Sequence, residues 1–195
     1  MAVRCEHDAV VLAAGGSARL GRPKQLLTVG GETLLQRAVR LAKATGPTRI
    51  VVVLGAHADT LAPLVTGTPI VFNPTWDTGM ASSLARAAAA LAGRTYPVLV
   101  TLVDQPCLTQ EHLQTLLVAY DGSRDVVSAY GDALGPPALL RPETLAAAGR
   151  LTGDTGFRRL WGVAHPAAIR RDALGRDLDT PDDVADAVRA GLIDP

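Results

Sequence analysis

The stretch that decides the fold is Val10-Val11-Leu12-Ala13-Ala14-Gly15-Gly16-Ser17-Ala18-Arg19-Leu20-Gly21-Arg22-Pro23-Lys24. An apolar run feeds a loop with three glycines, one hydroxyl and three cations, Arg19, Arg22 and Lys24. Small residues let a backbone come close to an anion, and its free N–H groups then donate to phosphate oxygens. Fixed cations neutralise the charge that the amides leave. A loop of this kind after the first strand of an α/β domain reads as a phosphate site.

Outward from the loop, strand-like and helix-like stretches alternate. Residues 9–13, 49–54, 70–72, 98–103 and 125–129 are short β-rich runs without polar alternation, the mark of strands covered on both faces. Residues 33–45, 57–64, 80–91, 109–120 and 181–190 read as helices. Leu34, Leu35, Ala38, Leu41 and Ala42 recur at helical spacing, and Gly46-Pro47 stops that run. Thr109 suits an N-cap, with Glu111 and His112 in the first turn. The pattern predicts an α/β fold, a Rossmann-like three-layer α/β/α sandwich around a mostly parallel sheet. Residues 131–156 break the rhythm, being rich in Gly, Pro and Ala without a clear strand. They read as an insertion or lid over the site. No repeat or linker divides residues 1–195, so a single domain is expected.

The chain has 195 residues, 48% of them apolar and 19% charged, enough for one domain with a real core. Nineteen basic residues balance nineteen acidic ones. No overall field draws the chain to nucleic acid or an anionic membrane, so any preference for anions is local. Cys5 and Cys107 form neither a disulfide framework nor a CxxC metal knuckle. The charged N-terminus has no signal-like apolar core, and runs such as residues 87–92 are too short to span a bilayer. A cytoplasmic protein is expected. His7, His57, His112 and His165 form no metal-spaced pair.

Two familiar phosphate loops are excluded. Gly16 and Gly21 have Walker A spacing, but Arg22-Pro23 replaces the Lys and hydroxyl that must follow. The dinucleotide fingerprint fails as well. The second strand ends Val53-Leu54-Gly55-Ala56-His57, with no acid and the wrong glycine spacing.

Four further segments carry chemistry. Asn73-Pro74-Thr75-Trp76-Asp77-Thr78-Gly79-Met80-Ala81-Ser82-Ser83 offers close approach at Gly79 and hydroxyls at a helix start, with Trp76 open to a purely structural reading. Asp104, in Asp104-Gln105-Pro106, ends a central strand, where open α/β sheets bind ligands. Asp177-Leu178-Asp179-Thr180-Pro181-Asp182-Asp183 sets two acids on one side of an extended segment. It also starts a helix with a cap, a proline and an acid. Gly153-Asp154-Thr155-Gly156-Phe157-Arg158 suits either a turn entering a helix or contact with an anion.

Together these segments resemble the molybdenum cofactor cytidylyltransferase family, within the nucleotide-diphospho-sugar transferase superfamily. The loop is similar to the signature L-A-A-G-x-S-x-R-[ML]-G-x-P-K followed by Gln25-Leu26-Leu27, and the others resemble N-x-x-W-x-x-G-M-x-x-S, D-Q-P, D-[IL]-D-T-P-x-D and G-D-x-G-x-R. The likeness runs from about residue 9 to 184. It implies transfer of CMP from CTP to the terminal phosphate of the molybdopterin cofactor, with release of pyrophosphate. On that resemblance Arg19, Lys24 and Asp104 are catalytic. Leu12, Ala13, Ala14, Gly15, Gly16, Ser17, Arg19, Lys24, Gly79, Ser82 and Ser83 bind the nucleotide. Asp104 and Asp179 hold Mg²⁺, and Gly153, Asp154 and Arg158 meet the acceptor.

The resemblance further implies transient contact with a molybdoenzyme or its chaperone. Ala14, where the guanylyl branch usually has Gly, and the hydroxyls at Ser82 and Ser83 favour cytidine. One departure is Gly135-Pro136-Pro137, where related chains often show Gly-His-Pro; this bears on the acceptor contact. A guanylyltransferase, a sugar-1-phosphate nucleotidyltransferase and a non-catalytic cofactor-delivery protein are the alternatives.

Overall fold

A computed structural model describes residues 5–148, 150–151, 161 and 165–195. Strand β1 (Asp8–Ala13) lies mid-sheet, parallel to β4 (Arg49–Leu54) on one side and β6 (Val98–Leu102) on the other. The seven-stranded sheet has the order β5-β4-β1-β6-β8-β7-β9, with β5 at Ile70–Phe72, β7 at Val126–Tyr130, β8 at Ala133–Leu140 and β9 at Ala167–Arg170. Only β8 runs against its neighbours. A small antiparallel hairpin, β2 (Thr28–Val29) and β3 (Glu32–Thr33), stands apart.

Side chains alternate across β1, and each set is covered by helices. Ala9, Val11 and Ala13 pack under α1 (Leu34–Ala44) and α4 (Gln110–Ala119), through Leu35, Ala38, Ala42, Leu113 and Leu116. Val10 and Leu12 face the opposite side, under α3 (Met80–Ala90) and α5 (Pro142–Ala148), through Leu84, Ala87 and Leu145. Residues without polar alternation thus form strands buried on both faces, and the sandwich is three-layered. Thr33 caps α1 through a reciprocal box with Gln36, and Thr109 caps α4 by accepting from the His112 amide. The expected helix at 57–64 shrinks to α2 (Ala58–Leu61) and a 3-10 turn over Ala62–Leu64, because Pro63 cannot continue an α-helix.

Within residues 131–156, read from the sequence as an insertion or lid without a clear strand, the described residues do contain a strand of the main sheet. Residues 133–140 are the longest described strand, seated between β6 and β7. Pro136 and Pro137 hide it in the sequence, since neither has an N–H to give a ladder. The sheet accommodates them by an irregularity: Val127 pairs with Ala138, but the next residue, Ser128, pairs with Gly135. Strand β9 also escapes the sequence pattern, being four residues long and partly exposed.

A third cluster positions the site. Helix α6 (Pro181–Arg189) lays Val184 and Ala187, with Leu178 and Ile193, against Leu20, Leu27 and Leu34. The C-terminal segment is pinned where the Asp194 carboxylate accepts from the amides of Gly30 and Gly31 in the β2–β3 turn. This packing brings the residue 177–183 segment back over the loop that follows β1. No described helix is long and apolar enough to cross a membrane.

Candidate active site

Beyond the carboxyl ends of β1 and β6 lies a cleft of about 390 Å³. Its walls include Leu12, Ala13, Ala14, Gly15, Gly16, Arg19 and Lys24 from the loop, Gly79 and Ser83 from the start of α3, and Asp104 beyond β6. Among the described residues, no backbone N–H from Gly15 to Arg19 donates to a protein acceptor, so five consecutive donors are free for an anion. The loop folds on itself beyond them: the Ser17 carbonyl accepts from the amides of Leu20 and Gly21 at 3.0 Å. Ser17 takes a left-handed φ of 52° to do so, a strained conformation for a residue with a side chain.

Lys24 is the hub of the charges. Its Nζ donates to Asp104 Oδ2 at 2.7 Å and to Asp179 Oδ1 at 2.9 Å. Arg19 Nη2 donates to Asp179 Oδ2 at 2.6 Å. The Lys24 and Asp104 side chains are only 13% and 17% exposed, whereas Arg19 is 71% exposed. The Lys24 pair therefore sits in a poorly screened setting, while the Arg19 contact is a surface ion pair, worth about 0–1 kcal/mol and readily exchanged for a phosphate.

Burial works against the Lys24 charge, yet the Asp104 and Asp179 carboxylates outweigh it and hold its pKa above the usual lysine value. Burial likewise opposes the Asp179 charge, but Lys24 and Arg19 hold that carboxyl below the usual range. Asp177 lies in the same acidic cluster. Its residue is exposed overall, but its carboxyl is partly desolvated, and with repulsion from Asp104 and Asp179 this pushes its pKa up to about 6. The second oxygen of Asp104, Oδ1, is buried with no hydrogen-bond partner among the described residues. Among those residues, no set of three or more His, Cys, Asp or Glu side chains is arranged for a metal ion by itself.

The structure thus brings Arg19, Lys24, Asp104 and Asp179 together as the motifs suggested. At two expected nucleotide contacts the hydroxyl is bonded to the protein's own backbone. The Ser17 hydroxyl accepts from the Lys24 amide at 3.1 Å, and Ser17 is not part of the cleft wall. Ser82 is not part of it either: its hydroxyl donates to the Gly79 carbonyl at 2.8 Å and accepts from Asn73. Arg22 is exposed and away from the cleft. Gly153, Asp154 and Arg158 lie outside the described residues.

Other cleft residues were given no site role from the sequence: Gln25 and Met80, although both stand in the quoted motifs, Asp77, Leu102 and Val103, with Trp76 open to a purely structural reading. A methyl group on Gly16 would lie 2.6 Å from the Trp76 ring, and one on Gly55 2.5 Å from Trp76 Cβ and 2.9 Å from the Ala14 methyl. The two glycines are what allow Trp76 to close over the loop. Asn73 is fully buried and donates to the hydroxyls of Ser82 and Ser83 at 2.8 and 3.0 Å.

Comparison with known proteins places this site in a family. Residues 9–169 match the MobA-like NTP transferase domain. The chain belongs to that family. The MobA-like chain is also 36% identical over 187 residues, 88% of its own length and 91% of the relative's, to the nicotine blue oxidoreductase of Paenarthrobacter nicotinovorans. Among solved structures it resembles a homologue of the Mycobacterium tuberculosis Rv0371c protein from Mycobacterium sp. strain JC1, with 30% identity, a TM-score of 0.83, and 97% and 98% of the two chains covered. The M. tuberculosis Rv0371c protein, solved as a complex with manganese, is 26% identical with a TM-score of 0.79 over 95% and 99% of the two chains. The likeness to the Rv0371c homologue extends over nearly the whole chain, the cleft described above is lined by residues of the matched stretch, and Asp179, from beyond that stretch, reaches its Lys24 and Arg19.

Proposed function

We propose that the protein transfers CMP from CTP to the terminal phosphate of the molybdopterin form of the molybdenum cofactor and releases pyrophosphate. The observation that carries the reading is the Lys24 ammonium held between Asp104 and Asp179, beside five unpaired loop amides. That is a cradle for a polyphosphate with acids at its edge.

The reaction asks little covalent chemistry of the protein. An oxygen of the acceptor's terminal phosphate forms a bond to the α-phosphorus in line with the bond to the β-phosphate. That bond breaks, and pyrophosphate leaves with the electron pair. The attacking phosphate is already ionised at neutral pH, so no side-chain nucleophile or general base is required. Loop amides from Gly15 to Arg19 orient the phosphates. Lys24 and Arg19 oppose the charge growing on the leaving pyrophosphate. Arg19 is free to follow it, because its contact with Asp179 is solvent-exposed.

The residues fit Mg²⁺. Asp104 Oδ1 is a buried acceptor without a partner, Asp104 and Asp179 already share one cation, and Mg²⁺ takes oxygen ligands from one or two carboxylates plus phosphates and water. When bound there the ion would supply charge neutralisation for the triphosphate. The related Rv0371c protein was solved as a complex with manganese, which supports a divalent ion in this reading.

The base preference rests on Ala14 and Ser83. Ala14 lines the cleft but is only 4% exposed, and a methyl-sized difference discriminates by about 1–3 kcal/mol. Asn73 donates to Ser83 Oγ, which leaves the Ser83 proton free to donate to a base carbonyl.

The test is magnesium-dependent pyrophosphate release with molybdopterin cofactor and each of CTP, GTP, ATP and UTP. CTP should lead; equal turnover of GTP would point to the guanylyl reaction. Two observations favour a second reading, hydride transfer: the relative matched over 91% of its length is named an oxidoreductase, and Trp76 has an exposed face at the cleft. Consumption of a reduced nicotinamide dinucleotide, without pyrophosphate release, would select it.

A further inference from the structure

Gln25 follows Lys24 in a 3-10 turn over Lys24–Leu26 and is completely buried beneath the phosphate loop. Its Nε2 donates to two loop carbonyls, Ala13 O at 3.0 Å and Gly15 O at 2.8 Å. Both amide protons are thereby used, while Oε1 is buried with no hydrogen-bond partner among the described residues. The orientation of the side-chain amide is fixed, because flipping it would set its oxygen against two carbonyl oxygens. A trans peptide is planar, with C=O and N–H pointing in opposite directions. Drawing the Gly15 carbonyl onto Gln25 therefore turns the Gly16 N–H away from this buried side chain. Four of the five unpaired amides, Gly16 to Arg19, begin at this pinned peptide, and the Gly15 N–H lies on the peptide just before it. A loop of glycines and small residues has no stiffness of its own to hold such an arrangement.

We propose that Gln25 is the positioning residue of the phosphate loop, holding the Ala13 and Gly15 carbonyls so that the amides beyond them stay presented to a polyphosphate. It acts through the loop backbone and not through contact with phosphate. The inference rests on the polyphosphate reading of the cleft, but not on which nucleotide or acceptor the protein uses. A side chain of equal size without the two donors lets the loop carbonyls turn, and binding an anion must then reorder the loop.

The probe is inorganic tripolyphosphate, titrated calorimetrically into the wild-type protein, Gln25→Met and Gln25→Glu, with melting curves taken alongside. Met keeps the volume and removes both donors. Ionised Glu presents only acceptors to the two carbonyls, and protonated Glu regains one donor. Both variants should bind tripolyphosphate about tenfold more weakly or worse, the scale of one or two lost hydrogen bonds. Nucleotide KM should rise more than kcat falls. Relative to wild type, Gln25→Glu should recover as pH is lowered and Gln25→Met should not. A merely structural glutamine would show no such recovery of binding in proteins that stay folded. Should neither variant fold, the wild-type protein decides by NMR. The Gln25 Nε2 protons must exchange slowly and keep their resonances when tripolyphosphate is added, while the amides of residues 15–19 shift. Unchanged affinity in folded variants, or fast exchange of the Gln25 protons, overturns the inference alone. A wild-type protein that binds no tripolyphosphate overturns the polyphosphate reading with it.

Discussion

Lys24 Nζ lies 2.7 Å from Asp104 Oδ2, across 80 residues of sequence. The same ammonium reaches Asp179, 155 residues away, at 2.9 Å. One cation thus ties the loop after β1 to the end of β6 and to the segment entering α6, and it occupies the two carboxylates that best suit a divalent ion.

Removing that ammonium should separate its two roles. Lys24→Met should lower kcat/KM by about 10²–10³, the usual cost of losing one preorganised charge aimed at a leaving group. The same variant, without nucleotide, should bind Mn²⁺ about tenfold more tightly than wild type, because like charge no longer opposes the ion. Electron paramagnetic titration of free Mn²⁺ reads the second effect. Weaker Mn²⁺ binding in Lys24→Met would contradict it.

Trp76 closes over the loop only because positions 16 and 55 lack side chains. Gly16→Ala sets a methyl against the ring, so Trp76 must move by a few tenths of an ångström or more. We expect nucleotide KM to rise about tenfold with a melting temperature lowered by only a few degrees, since overpacking costs about 1–3 kcal/mol. Trp76 fluorescence, read in a Trp161→Phe background, should respond to nucleotide in the parent and respond less in Gly16→Ala. An identical response in both would contradict the coupling of position 16 to Trp76, and no response in the parent would show that Trp76 does not report on the cleft.

His112 gives the fold a pH dependence of definite sign. It is fully buried, its Nε2–H donating to Ser128 Oγ at 2.7 Å while the Ser128 hydroxyl donates to the Pro137 carbonyl at 2.7 Å. Burial, helped by the Arg171 charge, lowers its pKa to about 4. The unfolded chain takes up a proton near pH 6.5, before the folded one does. Stability is therefore fully present above about pH 6.5 and declines as pH falls toward 4, by up to about 3 kcal/mol. Urea unfolding of wild type and His112→Gln across that range checks it. The variant's curve should be flatter; parallel curves would contradict the assignment.

Where the sequence was readable, local chemistry decided the structure. The buried strands β1, β4 and β6 and the capped helices α1, α4 and α6 each carry their own signals, at Thr33, Thr109 and Thr180 for the caps. Strand β8 was not legible because its pairing is set by the neighbours β6 and β7, against the local vote of Pro136 and Pro137. The same division holds in the site. Arg19, Lys24, Asp104 and Asp179 are charged residues in spaced motifs, and their chemistry shows in one dimension. Gln25, Asn73 and Trp76 act through what they touch, the carbonyls of Ala13 and Gly15, the hydroxyls of Ser82 and Ser83, and the bare backbone of Gly16 and Gly55. Ser17 and Ser82 show the reverse, since hydroxyls that looked free for a ligand are used to hold the backbone.

We assign the Lys24–Asp104–Asp179 cluster to nucleotidyl transfer. The most direct test is pyrophosphate release from CTP with molybdopterin cofactor and Mg²⁺, comparing wild type with Asp104→Asn. Wild type should release pyrophosphate together with a cytosine dinucleotide product, and Asp104→Asn should lose about three orders of magnitude in turnover. No pyrophosphate from wild type with any of the four nucleotides, or full turnover in Asp104→Asn, would contradict it.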